Sequence, residues 1–560
     1  MKKAAILTGI IALTLSCQNN KPTTMADLII INSKIWTANP AQPFAKAIAI
    51  SGDTILAVGT TREILKYKTS DTEVLDKPGA IVLPGFIDSH LHFLTGGFSL
   101  SSVQLKDAAT KSEFIKRIKE FAEKMNPDEW ILEGFWDHEN WGGELPTREW
   151  IDEFTKEIPV FISRSDGHMA LANTAALKAA GITRDTKDVD GGEIERDEKG
   201  NPTGVFKDNA MSLVSQSIPD YSDIQYSKAL DAAMTYVSEQ GVTSVHHMGT
   251  LADFEVFKTK QDSGKLKTRI YATAPLWQYE KILKRKAQLD SSDLWLKLNG
   301  AKIFADGSLG SKTAAFTEPY LDDPDETGLL MDDPEHMREG ILLADKAGLQ
   351  IVVHAIGDRA NHFILDFYEE AIKQNGQRDR RSRIEHAQHL LPEDVARFGE
   401  LGVIASMQPW HLMDDGRWAE RSIGPKRAKT SYCFRSLLDN GARLAFGSDW
   451  FVAPPIPLEG IYAALTRHTL DGGHPDGWIP EEKITLEEAL KAYTIDAAYA
   501  SFEEDIKGSL EDGKLADFVI LDQDLFSIPS DEIIDIEVVH TFVGGQLVFR
   551  RDRDAAVGGG

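Results

Sequence analysis

Cysteine is nearly absent from this 560-residue chain, which has only Cys17 and Cys433. A disulfide framework is therefore excluded. Positive charge is also short: 61 Lys and Arg face 87 Asp and Glu, a net charge of −26 at pH 7, and no basic patch with interleaved aromatics occurs. That balance argues against nucleic acid or anionic membrane surfaces as partners. No apolar run reaches the ~20 residues of a membrane span. No GxGxxG or P-loop follows any strand-like run, which weakens nucleotide and dinucleotide readings. What is present is an ordinary globular composition, 42% hydrophobic and 26% charged, without low-complexity tracts. The length suffices for a large catalytic domain with one or two smaller ones.

The first 24 residues read as a processing segment. Lys2 and Lys3 precede the apolar stretch AAILTGIIALTL, then Ser16-Cys17 and the polar run QNNKPTT. The layout is that of a bacterial secretory signal. With small Ser16 before Cys17 it resembles a lipoprotein signal, which implies acylation at Cys17 and a place in the cell envelope, lipid-anchored or periplasmic. With Met25 as the true start, the protein would be cytoplasmic. Cys433 is the lone free cysteine of the mature chain on either reading, so no intramolecular disulfide can form.

Residues 25–82 and 505–552 read as short strands (DLIIINSKIWT, KAIAISGDTILAVG, ADFVILDQD, VVHTFVGGQLVFR), which suggests one β-sandwich assembled from both ends. The closing AAVGGG reads as an unstructured tail. Residues 83–504 alternate strand and helix signals. Eight candidate strands lie at 81–93, 241–249, 269–276, 301–308, 349–358, 382–388, 403–410 and 443–450, with helical stretches such as PEHMREGILLADKAG between most of them. That alternation predicts an α/β fold, a (β/α)8 TIM-like barrel. The gap at about 97–235 is too long for a connection. It is expected to be an inserted α+β subdomain roofing the barrel's C-terminal face.

Strands present alternate residues to one face. His90 and His92 in LPGFIDSHLHF therefore project side by side, and later runs end in further candidate groups: Lys302, expected to begin strand four, His354, His386 and Asp449. In such a barrel chemistry sits where strands end. Imidazole nitrogen and carboxylate oxygen suit zinc or a similar divalent metal, and this set could serve one or two ions. A metal acidifies water and polarises a carbonyl. Asp449 is the candidate to pass the proton to the leaving amine, in competition with its place among the ligands.

At these residues the chain resembles the amidohydrolase superfamily, in its amidohydrolase-3 branch, which includes N-substituted formamide deformylases. The matching segments are LPGFIDSHLHF, DGHMALANTAAL, KIFADGSLGS, VVHAIGDRA, RIEHAQ, MQPWH and FGSDWF. The resemblance implies a β-sandwich beside a metal-bearing barrel, and a Lys302 carboxylated to an anionic bridge between two ions.

His168 in SDGHMALAN is expected to face the site from the insertion. Asp306 either shapes the loop after strand four or touches substrate. Of His246-His247, at most one can point into the barrel. His389 and His411 are either donors that orient ligands or surface histidines. Trp136, Trp141, Trp410 and Trp450 flank the motifs; Trp136 and Trp410 would line a pocket for an apolar N-substituent, although core packing is the commoner fate of tryptophan.

The reading is a hydrolase of non-peptide carbon–nitrogen amide-type bonds, with N-substituted formamides as one substrate class and a small molecule as partner. Its rivals are the same fold acting on an imidazolone ring, an N-acyl amino acid or an isomerisation, and a lipid-anchored binding protein without turnover. An acidic enzyme of this size could readily form a homodimer.

Overall fold

Eight strands hydrogen-bond in sequence order into one parallel sheet: Phe86–Leu91, Val242–His247, Arg269–Pro275, Leu296–Phe304, Gln350–Ala355, Arg383–His386, Ile404–Met407 and Arg443–Phe446. The computed structural model describes residues 24–125 and 129–551. Cys17, with the rest of the candidate signal, and the AAVGGG tail lie outside the described residues. A bridge between Leu91 and Trp450 brings the last strand round to the first, so the sheet is nearly closed as a barrel. Most of these strands are buried along their length, as parallel strands covered on both faces must be. Amphipathic helices supply the cover. Pro334–Lys346, for example, starts with proline at its first turn, and the Asp333 side chain accepts two backbone N–H groups there.

The barrel is therefore the expected one, with two changes of boundary. The run IVLPGFIDSHLHF is not one strand. Ile81–Pro84 belongs to a second sheet and Phe86–Leu91 to the barrel. Gly85 joins them because any Cβ there would lie 2.3 Å from the Thr243 side chain. Nor does Lys302 begin its strand, which already starts at Leu296; Lys302 stands two residues from the strand's end, closer to the catalytic rim.

Both ends of the chain build the neighbouring sandwich. One sheet of six strands takes Lys34–Trp36, Phe44–Ala45 and Ile81–Pro84 from the first part of the chain and Phe518–Leu521, Val538–Val543 and Gln546–Arg550 from the last. Its partner sheet has four strands, and Ile30, Ile48, Val82, Phe518 and Phe542 pack together between them.

The inserted region forms a mixed five-stranded sheet with apolar clusters of its own. It gives up its last segment, however. Helix Asp223–Glu239 packs Leu230, Ala233 and Val237 into the barrel's core, so the subdomain ends short of residue 235.

Candidate metal centre

His90 lies next to the last residue of the first barrel strand, and His92 immediately precedes the helix Phe93–Ser99 that follows. Their Nε2 atoms each lie 3.3 Å from Asp449 Oδ1. His386 and His411 present nitrogens to the same carboxylate from the sixth strand and from the helix after the seventh. Asp449 is thus shared by two groups of donor atoms, His90–His92–Asp449 and His386–His411–Asp449, each spanning no more than 4.8 Å.

The second histidine nitrogens are occupied. His90 Nδ1 meets the Glu385 carboxylate, itself held by Arg383, and His386 Nδ1 lies 2.8 Å from Gln408 Oε1. Such outer contacts orient an imidazole toward a metal. The loop carrying Asp449 is held by Asp88, whose carboxylate accepts the Ser448 N–H at 3.0 Å, the Ser448 hydroxyl at 2.5 Å and the His90 N–H at 3.2 Å. Both His386 and Asp449 have left-handed backbone, with φ of 74° and 59°. In non-glycine residues that costs of order 1–3 kcal/mol and recurs at functional sites.

Lys302 Nζ, His411 Nε2 and Asp449 Oδ1 are among the buried polar atoms without a hydrogen-bond partner among the described residues. Unsatisfied buried groups are rare and call for an explanation. A divalent cation with nitrogen and oxygen donors is one that fits this set. The electrostatics agree for His354, His386 and His411, whereas in His90 the effect of burial is overcome by the Asp449 and Glu385 carboxylates, which raise it. Burial holds His354 and His386 well below the usual imidazole range and His411 at about 4, so all three are neutral at pH 7, as ligation requires. Burial pulls the Lys302 ammonium down to about 8, within reach of the free amine that carboxylation needs. Burial alone would raise Asp449, but His90, His92 and His386 outweigh it and keep the carboxylate ionised.

The other expected residues divide. His354 stands beside the centre, its ring 4.5 Å from that of His386, but its Nε2 hydrogen-bonds the Gly307 carbonyl at 3.1 Å and it joins neither donor group. His168 does face the site from the insertion, with its ring 5.0 Å from that of His354. Burial would lower His168, yet its 2.7 Å contact with Asp208 prevails and lifts it to about 9, so it carries a proton at pH 7. Trp410 lines the adjoining chamber. Two residues are corrected. Asp306 is fully buried and accepts the backbone N–H groups of Ala315, Ile356 and Gly357, so it ties loops together rather than meeting substrate. Trp136 is fully buried in the insertion's core and donates to the Ile162 carbonyl at 2.9 Å, away from either cavity. Of the His246-His247 pair, His246 points inward, 2.9 Å from the Arg383 guanidinium, and His247 contacts Asp253 outside.

Sequence reasoning missed Glu385 and left His411 undecided. Strict alternation sends Glu385 to the opposite face from His386, and the left-handed turn at His386 breaks that rule. The signal for His411 was its place just beyond a strand end, in MQPWH.

The centre lies between two spaces. A wide mouth of about 910 Å³ is walled by His92, Met248, Trp277, Lys302, Phe304 and Leu330. A tight chamber of about 70 Å³ lies among Arg164, Asp166, His168, His386, Trp410 and Asp449.

Comparison with known proteins is consistent across the chain. Residues 73–549 match the model of the amidohydrolase family. Protein LONG AFTER FAR-RED 3 of Arabidopsis thaliana is 42% identical over 538 residues, 94% of this chain and 92% of that protein. N-substituted formamide deformylase of Arthrobacter pascens is 30% identical over 550 residues, 94% of this chain and 99% of that protein. Among solved structures, an uncharacterized metal-dependent hydrolase from Pyrococcus horikoshii OT3 aligns with a TM-score of 0.73 at 28% identity, covering 90% of this chain and 99% of its own.

Proposed function

The chain belongs to the amidohydrolase family, and on that premise we propose that it hydrolyses the carbon–nitrogen bond of small non-peptide amides, N-substituted formamides first among them. The observation that carries the reading is the Asp449 carboxylate shared by two sets of ligand atoms. His90, His92 and Asp449 would hold one ion; His386, His411 and Asp449, with Lys302 and His354 alongside, would hold a second. Zinc or a similar divalent metal suits this nitrogen and oxygen set. Bound there, it supplies Lewis-acid polarisation of a carbonyl and a water acidified to a pKa of about 7.

The protein's own groups do the rest. Asp449 takes a proton from the attacking water and delivers it to the departing nitrogen, so that one C–O bond forms, the C–N bond breaks and the amine leaves neutral. His168, protonated through Asp208, offers an N–H to the acyl oxygen from the insertion. The 70 Å³ chamber accepts only a small acyl group, and the 910 Å³ mouth, with Trp277, Phe304 and Met248, accepts the N-substituent. The similarity to a formamide deformylase supports the same division.

The test is zinc-loaded protein with an N-substituted formamide, following release of formate and amine. Asp449→Asn is expected to cut kcat by about 10²–10⁴. Full-rate hydrolysis by that variant would remove Asp449 from the proton path. No cleavage of any amide by the wild type would overturn the choice of bond and turn the search to imidazolones and N-acyl amino acids.

We extend the proposal to location: the Ser16-Cys17 segment supports a lipid-anchored envelope protein. Mass analysis of the mature N-terminus is expected to find acylated Cys17, and an unmodified Met25 start would refute it.

A further inference from the structure

Away from the metal centre, a cavity of about 540 Å³ opens between the helix Phe93–Ser99, the inserted subdomain and the helix Asp223–Glu239. That volume is within the usual range for small-molecule sites. Its wall is aromatic. Phe98 and Tyr221 stack at 3.9 Å, with Tyr226 behind them edge-on to both, and Phe121 and Trp130 also line it. Two carboxyls line it: Glu129, which is exposed, and Glu133, which is half-buried and for which no hydrogen bond or ion pair occurs among the described residues. Lys228 lines the same cavity but is exposed to solvent and makes no ion pair with Glu133 among those residues.

Aromatic faces beside a half-buried carboxylate are the chemistry of ammonium recognition: the rings attract the cation's charge and its apolar body, and the carboxylate neutralises it. We propose that this cavity is a second binding site, distinct from the metal centre, for an organic ammonium ion with an apolar body. Burial lifts Glu133 to about 7, and a cation beside it would favour its ionised form.

The site is joined to the metal centre by two short paths. The helix that supplies Phe98 starts directly after His92. Glu133 is followed by Phe135, whose ring stacks at 4.3 Å on Phe451, and Phe451 lies 5.5 Å from the His92 ring. Glu133, Gly134 and Phe135 all have positive φ, at 66°, 86° and 55°, which aims Glu133 and Phe135 away from an ordinary strand's alternation. An amine is also the class of product released by the proposed reaction, but the site's assignment does not depend on that reaction.

Calorimetric titration of the full chain with 2-phenylethylammonium chloride at pH 8 tests the inference without turnover. Saturable binding is expected, weakened tenfold or more by Glu133→Gln and by Tyr221→Leu, and unchanged by Trp277→Ala in the active-site mouth. Neutral 2-phenylethanol is expected to bind at least tenfold more weakly. Absence of saturable binding, equal binding of the alcohol, or loss with Trp277→Ala but not with the other two variants would overturn it. If circular dichroism shows that Glu133→Gln is not folded, Tyr221→Leu at a partly exposed ring carries the test.

Discussion

The carboxylate of Glu385 illustrates how much of the centre depends on groups that touch no metal. It is fully buried, meets His90 Nδ1 and is held in turn by Arg383. Arg383 also donates to the Ser89 carbonyl and to the Ser406 hydroxyl at 2.9 Å, so three barrel strands are tied beneath one histidine. Glu385→Gln keeps the shape but removes the charge that fixes the imidazole's orientation. Outer contacts of this kind are worth about 10–100-fold in metal affinity. Competition with a zinc indicator should therefore show weaker zinc binding by about that factor with the barrel still folded, and an unchanged affinity would show that Glu385 serves only the barrel's packing. At this scale the sequence was legible where chemistry and pattern coincide. The HxH pair, His386 and Asp449 stand at strand ends, and the structure brings them together. For Trp136 and Asp306 two readings stayed open in the sequence, because neither core burial nor capture by backbone N–H groups leaves a mark in a local motif.

At the scale of elements, the eight parallel strands were the most legible part, because buried strands read as apolar runs and each ends in its own short motif. Their boundaries were less so. IVLPGFI, at its start, is apolar throughout, and the close approach of Thr243 to Gly85 marks where it divides between two sheets. Helix Asp223–Glu239 was assigned to the insertion because nothing local tells which core its apolar face joins. A second glycine shows how the end of the last strand places the shared ligand. A Cβ on Gly447 would lie 2.5 Å from the His90 backbone nitrogen and 2.8 Å from Asp88 Oδ1. Gly447→Ala must therefore push the Ser448–Asp449 turn away from the first strand. Overpacking of this kind costs about 1–3 kcal/mol. The variant is expected to melt earlier and to lose metal affinity together, measured by thermal unfolding and by zinc titration. Retention of both would mean that the turn can shift without moving Asp449.

At the scale of the whole molecule, barrel and sandwich share a buried ion pair. Arg269 begins the third barrel strand, is 2% exposed, and grips Asp517 of the sandwich through Nε at 2.6 Å and Nη2 at 2.9 Å. Asp517 also accepts the Gly544 N–H at 2.7 Å, and its backbone carbonyl accepts the N–H of Gly85, the residue where the two sheets part. The pair thus locks the last strands of the chain onto the root of the strand that carries His90 and His92. Removing one partner strands a buried charge, which costs about 3–5 kcal/mol, whereas replacing both with apolar side chains is often nearly neutral. Asp517→Leu and Arg269→Met should each lower the melting temperature markedly, and the double variant should recover most of the loss. A double variant as unstable as the sum of the singles would mean that the two residues act independently, and that the sandwich is held to the barrel by its apolar contacts rather than by this pair.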